Sequence, residues 1–419
     1  MQSINSISQS RVCRIIIIGS ALTLLNAASM ANSYTFTKIA DTTGPFSGFA
    51  GGAGPDQGTP AINNDGAVAF WAGLDAGGSG IYTGSGGATS AMALTGATFS
   101  GFGRGLPAIN SAGAVTFWAS LTAGGHGVYK AGPGASTVAS TAFMFTGIND
   151  APSISGASAM VAFRADEIGT SGIYNGTGAI VPATIASGSS SISADGPSIG
   201  GGTTAWSGTV AGVTGVYAGA GGALTTIANT TGPLSGFGPF CAINSGGTVA
   251  FRATLDAGGS GIYSGAGGAL TTIATTGATF TTLGTPAINA SNTVAFRAIN
   301  FLGVKAIHTG SGGATERVVG DGDVIGGLTI NDVRSSRHAL NDAGQIAFRA
   351  SFTDGTSGIY RANPCHADVN GDHVVNVDDL LAVIAAWGAA GASAADVTGD
   401  GIVNVDDMLL VINAWGPCP

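Results

Sequence analysis

The sequence is poor in charge. Asp, Glu, Lys and Arg make up 9% of 419 residues, and Lys and Arg together number 14. Phosphate backbones are met by clustered cations, so nucleic acid is not an expected partner. Glutamate is scarcer still, with only Glu167 and Glu316. Acid–base cleavage of sugars wants two carboxylates at a defined separation. Neither these glutamates nor Asp75, Asp166 and Asp256, which sit near turns, form a pair that recurs. The nucleophile motif of Ser/His/Asp catalysis is missing. His126, His308 and His338 are scattered without metal-ligand spacing. No catalytic residue is therefore assigned. Apolar runs are also lacking after the first 25 residues, so the mature chain is expected to have no transmembrane segment.

The one apolar run is at the start. Arg11 and Arg14 precede Ile15–Ile18 and a continuation to Leu25, and Ser29-Met30-Ala31 offers a small-residue cleavage site. This reads as a secretory signal peptide over residues 1–31, because the run is shorter than the ~20 residues of a spanning helix. The mature chain is expected to be secreted or attached to the cell surface. Its negative charge is concentrated at the far end: residues 365–419 hold eight aspartates and no Lys or Arg.

What the sequence has in quantity is glycine, 72 residues, punctuating short Val/Ile/Phe/Tyr runs. That is the pattern of short strands joined by tight turns. The wording Pro60-Ala61-Ile62-Asn63-Asn64-Asp65-Gly66-Ala67-Val68-Ala69-Phe70, then Gly80-Ile81-Tyr82, returns along the chain. Aligned on Ala61, the copies fall at Ala108, Ser153, Ser198, Ala242, Ala287 and Ala339, with steps of 47, 45, 45, 44, 45 and 52 residues. A period of roughly 45 residues matches a four-stranded propeller blade. Four runs are marked in the first copy, Pro60–Asn63, Ala67–Ala72, Gly80–Gly84 and Ser90–Leu94. In Val68-Ala69-Phe70 the large side chains share one face, and small Ala69 on the other suits sheet-on-sheet packing.

The ends of the array bear on its closure. The last copy stops after Tyr360-Arg361 without a fourth run. Tyr34–Ala40 with Gly44-Pro45-Phe46-Ser47-Gly48 is worded like the fourth run Leu224–Ala228 with Gly232-Pro233-Leu234-Ser235-Gly236. Pairing the two ends would close a ring and leave no free sheet edge. The expected fold is all-β, a seven-bladed β-propeller over residues 32–363 closed by an N-terminal strand. The fourth copy has lost both Asn and Phe, carrying Gly200 and Trp206, and the sixth has His308 in place of Tyr. Its longer connection, Gly320 to Arg337, is read as a polar surface loop, with a Ca²⁺ site at Asp321 and Asp323 as the alternative.

Asn63…Gly66…Ala69-Phe70 and Asn341…Gly344…Ala347-Phe348 carry an Asn-x-x-Gly-x-x-Ala-Phe pattern that resembles the secreted choice-of-anchor tandem-repeat proteins of bacteria. The resemblance covers residues 34–363, and copies three, four and six depart from it at Ser155, Gly200 and Asn292. It implies export and an anchoring module, and brings no catalytic residues. The residue after the repeat Phe is Trp71, Trp118, Arg164, Arg252, Arg297 or Arg349. These either line one mouth of the ring and bind a glycan, or cover the surfaces between blades.

The tail has its own repeat at an offset of 28 residues, from Asp368–Asp379 to Asp396–Asp407. A twelve-residue Ca²⁺ loop takes oxygens at places one, three, five, seven, nine and twelve. Here those are Asp368, Asn370, Asp372, the Val374 carbonyl, Asn376 and Asp379. In the second loop they are Asp396, Thr398, Asp400, the Ile402 carbonyl, Asn404 and Asp407. Hard oxygens favour Ca²⁺, at two sites. His373 takes the sixth place of the first loop and Gly401 that of the second. Leu380, Val383, Ile384 and Trp387, repeated as Met408, Val411, Ile412 and Trp415, give each loop an amphipathic helix whose stripe is expected to pack between the two helices.

Loop–helix, loop–helix with no helix in front resembles a type I dockerin of the Cys-bounded kind, over residues 364–419. The resemblance implies an all-α module with two EF-hand-type calcium loops, a disulfide between Cys365 and Cys418, and Ca²⁺-dependent docking to a cohesin-like partner. The places after the ninth ligand hold Val377-Asp378 and Val405-Asp406 rather than Ser/Thr pairs, which leaves a surface-sorting partner open. Cys241 is the odd cysteine and is expected as a buried free thiol. The function expected is a noncatalytic binding or display propeller tethered by this module. The alternative is a polysaccharide-degrading component of an extracellular complex, since dockerins often accompany glycoside hydrolases.

Overall fold

The computed structural model describes residues 34–50, 56–103, 105–133, 136–142, 145–149, 151–178, 182–188, 196–372, 374–390, 393–398 and 400–418. The proposed signal peptide and His373 lie outside them. The described strands form seven antiparallel sheets of four or five strands, one for each repeat, and a two-stranded sheet in the tail. Blade 5 shows the plan: Leu234–Ile243, Val249–Leu255, Ser260–Gly265 and Thr271–Thr275 lie side by side in chain order.

Alternation along the second strand joins one blade to the next. Val249, Phe251 and Ala253 pack toward blade 4, against Ala205, Val216 and Ala218. Ala250 faces the other way and meets Val294, Phe296 and Ala298 of blade 6. The large face of one sheet therefore seats on the alanine face of the sheet before it, as the Val-Ala-Phe pattern predicts. The repeat Phe meets the repeat Tyr across the strands, tilted for Phe251 and Tyr263 at 6.0 Å and stacked for Phe348 and Tyr360 at 5.9 Å, a pairing that stabilises neighbouring strands.

Blade 7 closes the ring. Its strands Leu328–Arg334, Ile346–Phe352 and Ser357–Pro364 are joined by Tyr34–Asp41, which runs antiparallel to the last of them from Tyr34↔Pro364 to Asp41↔Gly358. Two details differ from the expectation. Gly-Pro-Phe-Ser-Gly does not belong with the fourth strand, because Phe46–Gly48 pairs with the second strand of blade 1. Leu234 likewise opens the first strand of blade 5, since the Gly-Pro step before it breaks the outer strand and starts the next sheet. The 320–337 connection is not a plain loop either. Val324–Ile325 and Leu328–Arg334 form a hairpin. Arg317 donates to both oxygens of Asp323 at 2.8 and 3.0 Å, which engages that carboxylate without a metal.

The signature Asn does more than shape a turn. Asn63 Oδ1 accepts from the N–H of Asp65 and Ala67, while its Nδ2 donates to the Asn110 carbonyl in the next blade at 3.0 Å. Asn244 donates likewise to Asn289, Asn289 to Asn341 and Asn341 to Asn63. Five blades are thus linked hand to hand. Where the fourth copy has Gly200, a Cβ would lie 2.4 Å from the Asn244 carbonyl oxygen, so Gly is what the close approach admits. At the axis, buried Arg337 crosses the ring to donate to the carbonyls of Gly196 and Ala151, both at 2.7 Å.

His308 stands in the Tyr stack of blade 6, on Phe296 at 5.9 Å. Burial, with Arg317 adding to it, pushes its pKa down to about 4. The unfolded chain therefore binds a proton that the folded one refuses between pH 6.5 and about 4, and stability falls as pH is lowered through that window. The loss approaches about 3 kcal/mol at the acid end. The substitution His308→Tyr is expected to flatten the midpoint-versus-pH curve in urea melts over that range.

Candidate metal centre and docking face

The strand Ser357–Pro364 runs directly into Cys365, and the disulfide Cys365–Cys418 clamps the two ends of the tail module, with Cα atoms 5.7 Å apart. His366 meets Tyr34 of the closing strand edge-on at 5.6 Å. The module therefore sits where the ring is sealed. Among the described residues Cys241 is the free thiol, fully buried, and burial pushes its pKa up to about 12.

Each of the two loops leads into a nine-residue helix, α1 (Val377–Ala385) and α2 (Val405–Asn413), begun by a capping box. Asn376 Oδ1 accepts from Asp378 N, and Asp379 Oδ2 accepts from Asn376 N at 2.8 Å. Asn404 and Asp407 repeat this in the second loop. The twelfth-place carboxylate also folds the loop back on itself, since Asp379 Oδ1 accepts from Val369 N and Asn370 N, and Asp407 Oδ1 from Thr398 N and Oγ1. Asp368 draws in Gly371 N and Asp372 N, and Asp396 draws in Asp400 N and Gly401 N. Asp372 and Asp400 each accept from the N–H two residues on.

The spacing thus brings the named residues into two closed loops whose carboxylates are held by backbone N–H groups; among the described residues the one cluster of ligand atoms within 4.8 Å is Cys365, Asp368 and Cys418, the two sulfurs being those of the disulfide. Asp379 and Asp407 are buried, and residues 365–419 contain no Lys or Arg to neutralise them. A buried carboxylate without a cationic partner is costly, and a hard divalent cation fits that donor set. The oxygens of Asn376 and Asn404 cap the helices, and their Nδ2 groups donate to the carbonyls of Val374 and Ile402. An oxygen at the ninth place would have to come through water, which such loops often use.

The module is not purely helical. Val374–Val375 pairs with Gly416–Pro417, and Ile402 bridges Ala390, so each loop is stitched to the segment after the opposite helix. The core is small, with Val375, Val383, Val397, Val403 and Val411 at its centre. The expected stripe is accordingly only half correct. Val383 and Val411 are buried, but Trp387 and Trp415 are each 53% exposed, and Ile384 and Ile412 are exposed too. The helices end before the tryptophans, and two nine-residue helices cannot enclose both apolar faces. Val377, Leu381 and Ile384 on α1, and their counterparts Val405, Leu409 and Ile412 on α2, form two outward apolar faces. The sequence signal for this was the excess of apolar residues over what one stripe per helix can bury.

On the propeller, the residues after the repeat Phe reach across blade seams. Trp118 Nε1 donates to Ile148 O, Arg252 to Leu283 O and Arg297 to Val333 O. Asp166 is engaged by Arg164 and Ser171, and Glu167 accepts from Tyr174.

No curated protein matches the chain by sequence. Among solved structures, the oligogalacturonate lyase of Vibrio parahaemolyticus is similar with a TM-score of 0.52 at 9% identity, over 79% of this chain and 96% of that one. The β-propeller domain of the Trilobed protease from Pyrococcus furiosus gives 0.49 at 10% identity, over 75% and 95%. At such identities the likeness to the lyase concerns the fold alone. Residues 329–364, which make up most of blade 7, match a family of unknown function, DUF7453. Residues 366–415 match the model of the Dockerin type I domain, so the clamped, two-loop module at the C-terminus is a type I dockerin domain.

Proposed function

We propose that this protein is an exported, noncatalytic binding or display propeller, held to a scaffold or cell-surface partner by its dockerin domain in the Ca²⁺-loaded state. The observation that carries this is the pair of exposed apolar faces on a module of that family. An interface core is apolar and depleted in charge, and a face left open on so small a module is a docking surface. The partner is cohesin-like, and the apolar starts of the helices at Val377 and Val405 select for a receptor with an apolar groove rather than hydroxyl-seeking groups. Residues 1–31 serve as the export signal. Asp368, Asn370, Asp372, Asp379 and the Val374 carbonyl hold one Ca²⁺, and Asp396, Thr398, Asp400, Asp407 and the Ile402 carbonyl the other; bound metal supplies the positive charge that lets the two loops stay closed. Trapping a glycan is the use of the propeller most in keeping with its charge-poor ring.

The test is capture of the full chain on type I cohesins in Ca²⁺. Leu381→Asp or Leu409→Asp alone is expected to leave binding within a few-fold, because the two faces are equivalent. The double variant is expected to weaken it at least 100-fold. Undiminished capture of a double variant that still holds its calcium would contradict the assignment.

A further inference from the structure

The seam between blades 7 and 1 holds a cavity of about 360 Å³ lined by Ser47, Phe49, Trp71, Arg349, Ser351 and Ser357, with Gly73 in its wall. The residue two after Trp71 is Gly73, whereas the other copies carry Ser120, Asp166, Thr209, Thr254, Ile299 and Ser351 at that place. A Cβ on Gly73 would lie 2.8 Å from Ser47 Oγ.

Arg349 lines this cavity. Of its counterparts, Arg164 and Arg297 are paired with a carboxylate, Asp166 at 2.7 Å and Asp332 at 2.8 Å, whereas Arg252, like Arg349, donates to a carbonyl across its seam. Arg349 is 9% exposed, and no described carboxylate lies within ion-pair distance of it. The nearby Asp332 is already taken by Arg297 and Arg334. One nitrogen, Nη1, donates to the carbonyls of Phe49 and Gln57 at 3.3 and 3.1 Å, and no described partner takes Nε or Nη2. With Asp332 shared among three arginines this buried cation is under-compensated, a state that an arriving anion relieves. The rest of the wall suits a sugar: the indole of Trp71 for packing against a pyranose ring, and three serines whose hydroxyls have no described side-chain partner.

We propose that this cavity is a subsite for a carboxylated sugar, a single uronic acid residue, with its carboxylate on Arg349 and its ring beside Trp71. The assignment rests on the reading that the propeller takes a glycan, and adds which kind and where. Guanidinium and carboxylate match in a planar, two-bond geometry. The serines are placed to meet ring hydroxyls.

The experiment is calorimetric titration of the full-length protein with D-galacturonic acid, its methyl ester, D-galactose and tri-galacturonate. Galacturonate is expected to bind at least tenfold more tightly than either the ester or galactose. Tri-galacturonate binding in the same ratio to its neutral counterpart would identify a polymer as the source of the residue. Arg349→Gln is expected to remove the tenfold preference. Gly73→Ser, which restores the side chain found in two other copies, is expected to abolish binding without disturbing the seam hydrogen bonds of Arg349. Binding of charged and neutral sugars alike, or galacturonate binding untouched by Gly73→Ser, overturns the subsite while leaving a glycan-binding propeller standing. Failure to bind any glycan, acidic or neutral, overturns both.

Discussion

Stripping calcium from the full-length chain with excess chelator is expected to unfold residues 365–418 while the propeller stays intact. The tail holds eight aspartates and no cation, and its core is a handful of valines around one disulfide. Modules of this size fold on metal rather than on burial. Hydrogen exchange should show it directly. The N–H groups of Val369, Asn370 and Asn376, bonded to Asp379, should lose protection, and those of strands such as Val249–Leu255 should keep it. Asp379→Ala is expected to empty the first site and leave those three N–H groups without their acceptor. At about 1 kcal/mol or more for each, that is enough to unfold the loop even in Ca²⁺. A module that keeps its protection in chelator would show that the disulfide and valines suffice.

Deleting Tyr34–Asp41 is expected to be the most damaging change to the propeller. It removes buried Tyr34, Ile39 and Ala40, and the two large side chains alone account for roughly 3–6 kcal/mol of burial. It also bares the strand Ser357–Pro364 as an open edge, a template for pairing with other chains. That sum is comparable to the whole stability of a typical domain. The deletion variant should lose its cooperative melt and elute as aggregates. An intact monomer with the same melting temperature would mean that the ring does not depend on its seal. The deletion should also disturb the dockerin domain, because Tyr34 is the residue on which His366 rests.

Much of this was legible in the residues. Val-Ala-Phe at period two announces a strand with one large and one small face, and the structure uses both in the predicted sense. The surplus fourth strand at Tyr34 and the missing one after Tyr360 could be matched by wording alone. The two loop-and-helix repeats of the tail were legible for a related reason, because each is specified within a short stretch of chain. What was hidden depends on contacts between copies. Nothing in a single repeat says that Asn63 Nδ2 will find the Asn110 carbonyl 47 residues on, or that Arg337 will cross the axis to blades 3 and 4. The exposed tryptophans were misplaced because helical periodicity shows which residues share a face but not how many turns the helix has. Gly73 and Arg349 are ordinary residues in sequence, and only their meeting at one seam makes a cavity.

The account stands most directly on a titration of a type I cohesin into the full-length protein, in millimolar Ca²⁺ and again in chelator. It predicts binding in calcium and at least a 100-fold loss of affinity without it, restored when the metal is returned. Equal affinity in both buffers would contradict it.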